Sequence, residues 1–281
     1  MKITPIRPQW LTEIEFGSPL EFFDTDPLVW KKMLYDRTTI IFKGMNFSKE
    51  DYCTFSTIFG YPSGIVTPMR IGAATKAQDN KLRGLQPFSN KTLPFLGGNA
   101  MPWHADIPNH ETRAFPIRTL WMYNNPNPNG GFTSFLNIAD YIGLLSKRLQ
   151  DLIPRIKVTQ QDWFKPDGLK FQSGVNAQEF NLLKVHPVTG KSSLRLNNYG
   201  PSEWISGVNV DGVKQADCSL IQEYIDEIAM HEEMIYTHKW TLHDIIVYDN
   251  WNLVHNRTAL DLPPDSERLL YRMNIDHFPN A

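Results

Sequence analysis

Cysteine is scarce in this chain. Its 281 residues include only two cysteines, Cys53 and Cys218, which lie far apart in the sequence. Two distant thiols cannot form a disulfide framework, and cysteine alone cannot supply the ligands of a structural zinc site. A reducing, cytoplasmic compartment is therefore expected.

The chain also lacks an excess of either charge and any long hydrophobic run. Its 28 basic and 30 acidic residues give a formal net charge of −2. Without a basic surplus, neither a nucleic acid nor an anionic membrane is an expected partner. No stretch approaches about 18 consecutive apolar residues, and the N-terminal segment MKITPIRPQW has no apolar core. The sequence therefore predicts neither a membrane span nor a secretory signal.

What is present fits a folded protein. Hydrophobic residues make up 41% of the chain and charged residues 21%, which is ordinary usage for globular proteins. No internal repeat, low-complexity tract or linker divides the sequence. We therefore expect residues 1–281 to form a single domain with a sizeable core. The sequence leaves open whether this domain forms a homo-oligomer.

Short apolar and β-branched segments predict many strands. The predicted strands are residues 38–42, 117–124, 132–136, 245–248 and 269–275, with a hairpin formed by 183–187 and 192–196. Dense turn signals such as NPNPNGG separate some of these segments. This pattern is typical of a mainly β barrel or sandwich with a few outer helices.

Three segments are predicted to be those outer helices. They are residues 48–60, 139–153 and 219–230. In the first segment, Ser48 is a favourable N-cap and Asp51 places a negative charge in the first turn. The other two repeat apolar side chains at the helical period. Residues 64–94 fit neither pattern, and we interpret them as a long, partly ordered loop.

The first chemical signal is the pair His104 and Asp106. On an extended strand, residues two apart point to the same face, so both side chains could bind one metal ion. The signal is weak alone, because this composition predicts about one His-x-acid pair by chance. A second pair, His231 and Glu233, abuts a helical segment, where residues two apart face differently. We interpret that pair as a solvated helix end.

The C-terminal part strengthens the metal interpretation. There an apolar strand and an Asp-Asn turn lead to His255. A ligand from this distant segment would complete two histidines and one carboxylate. That set is the facial triad of non-haem Fe(II) oxygenases, which leaves three coordination positions open. A 2-oxo acid could chelate at two of them, and O2 could bind at the third.

The distal carboxylate of such a co-substrate needs a partner, because burying it unpaired is costly. Arginine suits this role, since its planar fork makes two charge-assisted hydrogen bonds to a carboxylate. In the strand RLLYRMNI, Arg268 and Arg272 share one face with Leu270 and Asn274, and the other face is wholly apolar. Taken alone, the polar face would be expected to face water. Beside a triad, we interpret it as the lining of a cavity.

Four motifs occur in a fixed order along the chain. They are WHAD at 103–106, GGFTSF at 130–135, HPVTGKSSLRLN at 186–197 and the pattern DN…H…R…R at 249–272. Together they resemble the taurine dioxygenase (TauD/TfdA-like) family of Fe(II)- and 2-oxoglutarate-dependent oxygenases, over about residues 38–275. The resemblance implies a double-stranded β-helix, or jelly roll, with helices packed outside.

The resemblance also implies roles for individual residues. His104, Asp106 and His255 would bind Fe(II), and Thr133 and Arg268 would bind the distal carboxylate of 2-oxoglutarate. The implied cofactors are therefore Fe(II), 2-oxoglutarate as co-substrate, and O2. Because the iron carries the difficult chemistry, no protein general base is assigned.

Substrate residues are less defined. Arg272 matches a position that grips an anionic group of the substrate in some members, and Asn99 lies where some relatives contact substrate. Arg195 either lines the pocket or lies at the surface. His110, His186 and His238 are interpreted as structural or exposed.

The chain departs from the family pattern around its last motif. His243 stands where the family often has the glycine of Trp-x-x-Gly-Asp, and Trp251 stands where an arginine often follows Asp-Asn. The residue after the distal histidine is commonly arginine, but here it is Asn256, with Arg257 next. These departures leave the ligand set intact and put the substrate in doubt. Relatives that halogenate replace the carboxylate ligand by a small residue, so Asp106 argues against halogenation.

We expect a small, anionic organic substrate, such as an amino acid or a secondary-metabolite intermediate. It would be hydroxylated, desaturated or cyclised with release of succinate and CO2. Taurine itself is less favoured, because residues 64–99 contain no convincing counterparts of the family's sulfonate-binding residues. The alternative from another class is a jelly-roll binding protein without turnover, which the intact triad, Thr133 and Arg268 disfavour.

Overall fold

The computed structural model describes residues 1–61, 82, 84–91, 100–105, 117–139, 141–164, 171–196, 205–215 and 219–275. The strands in these residues are β1 Lys2–Arg7, β2 Leu11–Glu15, β3 Thr39–Lys43, β4 Gln86–Ser89, β5 Met101–His104, β6 Ile117–Asn124, β7 Thr133–Asn137, β8 Ile156–Phe164, β9 Phe171–Asn181, β10 Leu183–Val185, β11 Ser192–Leu194, β12 Ile205–Val210, β13 Val213–Gln215, β14 Ile235–His238, β15 Ile245–Asp249, β16 Leu253–Arg257 and β17 Leu269–Ile275. The α-helices are α1 Pro27–Arg37, α2 Lys49–Thr57, α3 Lys147–Leu152 and α4 Ser219–Ala229. Among the described residues, no helix is both long and apolar enough to cross a bilayer.

Two sheets form the barrel. The larger has seven strands in the order β1-β2-β3-β15-β6-β17-β4, and the smaller has the order β14-β7-β16-β5. Apolar side chains of both sheets share one core, namely Met122, Phe135, Ile246, Tyr248, Leu253 and Leu270. This arrangement confirms the predicted mainly β fold with outer helices, a double-stranded β-helix. A third sheet, β13-β12-β8-β9, and the predicted hairpin, β10–β11, are attached to it.

Alternation along the central strands sorts side chains between the barrel interior and its outer face. In β15, Ile246 faces the core between the sheets, whereas Val247 packs outside with α1 and α2. In β17, Met273 is likewise on the outer side. The polar face predicted for this last strand is buried, since Arg268 and Arg272 are only 5% and 6% exposed. These arginines therefore line the interior and do not face bulk water.

The outer helices cover the apolar outer faces of the two sheets. α1 begins at Pro27 after Asp26, whose side chain accepts a hydrogen bond from the Leu28 amide. α2 begins after Ser48, which caps the Asp51 amide as the sequence predicts. Both helices pack onto the large sheet through an aromatic cluster of Phe22, Trp30, Phe42 and Phe55. α4 covers the small sheet with an apolar stripe that includes Ile221 and Ile225.

The helix predicted over 139–153 is wrong in its extent. Of the described residues in this interval, only Lys147–Leu152 is α-helical, and it is flanked by the 3-10 turns Ile142–Leu144 and Ile153–Arg155. Gly143 has low helix propensity, and Leu145 is extended, with ψ of 152°. Pro154 cannot donate the hydrogen bond that would continue the helix. Apolar spacing alone therefore overestimates the length of this helix.

The loop interpretation of residues 64–94 misses one strand. Within the described part of this interval, β4 pairs with β17, and Gln86 lies opposite Arg272. The segment QPFS contains a proline and shows no alternation of apolar residues, so its strand character depends on its position at the sheet edge. This edge strand brings Gln86 and Phe88 to the arginine-lined face of β17.

Candidate active site

Two of the three predicted iron ligands lie side by side. His104 ends β5, and His255 lies at the centre of β16, directly opposite it in the antiparallel register. Their ring centroids are 4.3 Å apart with an interplanar angle of 45°. Both side chains are buried. Strand pairing thus joins two imidazoles that are remote in the sequence.

A backbone hydrogen bond fixes the tautomer of His104. Its Nδ1 lies 2.7 Å from the carbonyl oxygen of Pro102. Because a carbonyl can only accept, Nδ1 carries the hydrogen, and Nε2 keeps the lone pair that a metal requires. A backbone carbonyl bound to the other ring nitrogen is the usual support of a metal-binding histidine.

The predicted carboxylate ligand, Asp106, lies outside the described residues, as does Asn99. Within the part of the chain that the structure describes, no three histidine, cysteine, aspartate or glutamate side chains form a metal-binding group. The assignment of Asp106 therefore still depends on its position two residues after His104.

Aromatic rings surround His255 on the interior side of the barrel. The rings of Phe135 and Tyr248 lie 6.2 Å and 5.4 Å from its ring centroid. Both are fully buried. An environment of this kind restricts water around a metal-binding imidazole and strengthens electrostatic interactions there.

Arg268 immediately precedes β17 and is held from two sides. Its Nη2 donates to the Gly131 carbonyl over 3.0 Å, and its amide donates to Asn90 Oδ1 over 2.8 Å. Gly131 has φ of +65°, and a Cβ there would lie 3.3 Å from Arg268 Nε. Glycine therefore allows both the backbone conformation and the close approach of the guanidinium.

Thr133, the first residue of β7, is oriented by a tryptophan. Trp240 Nε1 donates to Thr133 Oγ1 over 2.8 Å, and both side chains are buried. An indole N–H can only donate, so the threonine oxygen accepts from it. The hydroxyl hydrogen of Thr133 is therefore available to a different acceptor.

Arg257 is a residue of this region to which the sequence analysis gave no role. It lies two residues after His255 on β16 and directly opposite Thr133 on β7. Arg257 and Arg268 line one small cavity. Burial, together with the nearby Arg257 charge, lowers the pKa of Arg268 to about 9. The available signal was the two-residue spacing from His255, which places Arg257 on the same strand face.

Arg272 is held against the edge strand β4. Its Nη2 donates to Gln86 Oε1 over 2.9 Å, and its guanidinium carbon lies 4.9 Å from the Phe88 ring centroid. Arg268, just before β17, and Arg272, within it, are four residues apart, and both are buried. The interior of the barrel therefore carries two cationic positions separated along β17.

Two other histidines contact buried carboxylates. His186 Nε2 lies 3.1 Å from Asp249 Oδ2, and its Nδ1 accepts from the Val188 and Thr189 amides. His238 Nε2 lies 3.1 Å from Asp244 Oδ2. These contacts agree with the structural interpretation of both residues, whereas His110 lies outside the described residues.

A two-sheet barrel with paired imidazoles and buried arginines inside it defines a class, the double-stranded β-helix oxygenases. The chain belongs to the taurine catabolism dioxygenase TauD, TfdA family, whose model matches residues 2–274. It is an Fe(II)- and 2-oxoglutarate-dependent dioxygenase that uses O2 and acts on a small molecule. The resemblance recognised in the sequence motifs is thereby confirmed.

Similar proteins are distant in sequence but cover 84% to 98% of this chain. The (S)-phenoxypropionate/alpha-ketoglutarate-dioxygenase of Sphingobium herbicidovorans is 21% identical over 255 residues, which cover 84% of this chain and 81% of that protein. The crystal structure of a taurine dioxygenase from Burkholderia xenovorans has a TM-score of 0.70 at 20% identity, covering 98% of this chain and 90% of that one. The structure of AAD-2 in complex with Mn(II) and N-oxalylglycine has a TM-score of 0.70 at 17% identity, with coverage of 98% and 96%. These structural likenesses show the fold.

A buried carboxylate supports the segment that carries Trp240. Asp244 accepts from Lys43 Nζ over 2.6 Å and from the Thr241 amide over 3.0 Å. Burial alone raises its pKa, but hydrogen bonds from His238 and Lys43 outweigh it, so the pKa lies below its ordinary value. Stability from the ionised form is therefore present above the unfolded pKa of about 3.9 and is lost as the pH falls through the folded pKa.

We predict that Asp244→Asn lowers the free energy of unfolding at neutral pH by about 3–5 kcal/mol, because it leaves buried partners without their carboxylate. The variant should also lose less stability than the wild type as the pH falls below about 4. Urea unfolding across this pH range measures both effects. Asp36→Asn, at an exposed ion pair with Lys32, is the control and should change stability by less than about 1 kcal/mol. Parallel acid profiles of Asp244→Asn and the wild type would contradict the assignment.

Proposed function

We propose that His104, Asp106 and His255 form the iron site of this dioxygenase. The observation that supports the proposal most strongly is the direct pairing of His104 with His255 inside the barrel. The Pro102 carbonyl fixes the hydrogen of His104 on Nδ1, so the lone pair that a metal requires is on Nε2. Two imidazoles and one carboxylate, with open positions, fit Fe(II).

Besides binding the metal, the protein positions the reacting groups and excludes water from them. When bound, Fe(II) supplies the oxidative chemistry that couples decarboxylation of 2-oxoglutarate to oxidation of a substrate C–H bond. Phe135 and Tyr248 form an apolar wall beside His255. This wall protects the reacting groups from solvent, and no side chain is assigned as a general base.

We assign the distal carboxylate of 2-oxoglutarate to Arg268, Thr133 and Arg257. Arg268 offers a guanidinium that donates to the Gly131 carbonyl, and its backbone amide donates to Asn90 Oδ1. Thr133 offers a hydroxyl hydrogen, because its oxygen already accepts from Trp240. Arg257 lies opposite Thr133 and shares the cavity of Arg268. Two neighbouring buried cations repel each other, and a bound carboxylate would offset that cost.

The proposed substrate is a small organic molecule with an anionic group that binds Arg272. This guanidinium lies on the inward face of β17, four residues from Arg268, and is positioned by Gln86 and Phe88. Phenoxypropionate and taurine, in the names of two similar proteins, both denote acids. A carboxylate or sulfonate substrate therefore fits the charge of this position. Asn99 stays a predicted substrate contact.

The other properties of the protein stay predictions. We propose one domain over residues 1–281, a cytoplasmic location on the basis of its two distant cysteines, and no nucleic-acid or membrane partner. A homo-oligomer is compatible with the sequence, and sedimentation of the purified chain would settle its state.

The iron assignment predicts that His255→Ala abolishes both metal binding and turnover. Succinate formation should fall by more than about 100-fold, because loss of even an outer-shell partner of a metal ligand costs 10–100-fold. Mn(II) binding, followed by electron paramagnetic resonance, provides a readout independent of activity. His231→Ala is the matched control, since His231 belongs to the other His-x-acid pair and contacts Glu233 instead. Unchanged Mn(II) binding by a folded His255→Ala variant would refute the site.

The co-substrate assignment predicts that Arg257→Gln and Arg268→Gln each raise KM for 2-oxoglutarate by about 10- to 100-fold, because hydrogen bonds to charged groups contribute about 1.5–3 kcal/mol. Neither substitution should raise the KM for 2-oxobutyrate, which lacks the distal carboxylate, to the same extent. Steady-state succinate and propionate formation measure the two reactions. Arg155→Gln is the control, since Arg155 is paired with Asp211 at the surface. If KM rose equally for both oxo acids, these arginines would have a purely structural role.

The substrate assignment predicts that Arg272→Gln raises KM for the substrate and leaves KM for 2-oxoglutarate unchanged. The substrate can be sought among small carboxylates, sulfonates and amino acids by a mass gain of one oxygen or a loss of two hydrogens. The corresponding neutral ester or amide should be a poor substrate of the wild type. Arg272→Gln should discriminate less between the anionic compound and this neutral derivative. Full activity of Arg272→Gln on the identified compound would remove this role.

A further inference from the structure

A larger cavity borders the β10–β11 hairpin. It has a volume of about 570 Å³ and lies among the adjoining ends of β8 and β9, the strand β10 and the turn after β15. Its described lining includes none of the residues proposed for iron, 2-oxoglutarate or substrate. The volume is within the usual range for small-molecule sites, about 300–1,000 Å³.

Two cationic side chains enter this cavity, and each lies against an aromatic ring. Lys184 Nζ is 5.2 Å from the Trp251 ring centroid, and the Arg195 guanidinium carbon is 4.8 Å from the Phe180 ring centroid. Arg195 is only 8% exposed. Cations at these distances are attracted to the faces of the rings, which fixes their positions.

The described lining of this cavity carries more basic than acidic side chains. Lys157 and Glu179 form an exposed ion pair with an N···O distance of 3.5 Å at the rim, and their formal charges compensate each other. Lys184 and Arg195 therefore give the described lining a formal charge of +2. The nearby carboxylate of Asp249 is outside this lining, where it contacts His186 and accepts from the Trp251 amide.

Burial of the two cations in one cavity has an electrostatic cost. Burial, and then repulsion by Arg195, lower the pKa of Lys184 to about 7, although Asp249 acts in the opposite direction. An anion in the cavity would reduce this repulsion and favour the protonated lysine. The remaining lining includes the apolar side chains of Leu183 and Val185, together with the two rings.

We propose that this cavity is a second binding site, specific for a small organic anion with a flat apolar body, of the aromatic carboxylate class. Lys184 and Arg195 bind the carboxylate, and Trp251 and Phe180 contact the ring. The site lies beyond the proposed function, because it uses no residue assigned to the oxidation reaction.

Benzoate is the probe, titrated calorimetrically into the full chain loaded with Mn(II) and N-oxalylglycine so that the proposed co-substrate site is filled. Lys184→Gln should weaken benzoate binding at least tenfold at a pH of about 6.5. Lys214→Gln, which removes an exposed lysine of β13 outside the cavity lining, should leave it unchanged. Benzamide, which is neutral, should bind wild type much more weakly than benzoate. Absence of benzoate binding by the wild type, or equal binding by Lys184→Gln, would overturn the proposal.

The pH dependence separates Lys184 from its neighbours. The affinity of the wild type for benzoate should decrease above a pH of about 7, as Lys184 loses its proton. The decrease should approach tenfold per pH unit. Lys184→Arg should retain binding and lose this fall, because the guanidinium stays charged. Arg195, Lys157, Glu179, Asp249 and His186 are the other charged or titratable groups near Lys184. If the loss of benzoate affinity with rising pH persists in Lys184→Arg, another of these groups causes it and the assignment of Lys184 is wrong. This measurement tests the assignment even if Lys184→Gln does not fold.

Discussion

The register between β5 and β16 is the constraint on which the candidate site depends. His104 and His255 are direct partners across this antiparallel pair. Because side chains alternate along a strand, a slip of one residue would turn one imidazole away from the other. On the other side of β16, the register with β7 places Arg257 directly opposite Thr133. The proposed metal ligands and the proposed co-substrate contacts thus depend on how β16 pairs with its two neighbouring strands.

A second constraint is the burial of positive charge. Arg268, Arg272 and Arg257 lie inside the barrel, where an ionised group without compensation is costly. Arg268 and Arg272 are positioned by neutral groups, the Gly131 carbonyl and the Gln86 side-chain oxygen respectively. Fixed guanidiniums in an enclosed interior are suited to dianionic ligands, and preorganisation reduces the entropy lost on binding. The stability gained from the apolar core on both sides of the sheets supports this arrangement.

The departures from the family pattern have local explanations. His243 has φ of +66°, a left-handed conformation that glycine adopts readily, which explains why glycine often occupies this position. Its backbone amide still donates to the Met122 carbonyl over 2.8 Å, so the connection into β15 is preserved. Trp251 lies beside Lys184 at the hairpin cavity. Both departures thus leave the paired histidines unaffected.

Much of the site follows from local sequence signals. The two-residue period of RLLYRMNI predicted which side chains of β17 share a face, and the His-x-Asp and Asp-Asn…His segments indicated the ligand types. The extent of the 139–153 helix was overestimated because apolar spacing takes no account of Gly143 and Pro154. The strand β4 could not be predicted in the same way, because it depends on pairing with β17. The two-residue spacing places Arg257 on the face of His255, but the cavity that it shares with Arg268 depends on tertiary contacts. By itself, the sequence determined the chemistry of the donor groups and their alternation along each strand. Only the tertiary structure decided that His104 meets His255, and that Lys184 and Arg195 share a cavity, because strand register and sheet order arise from pairing between distant segments.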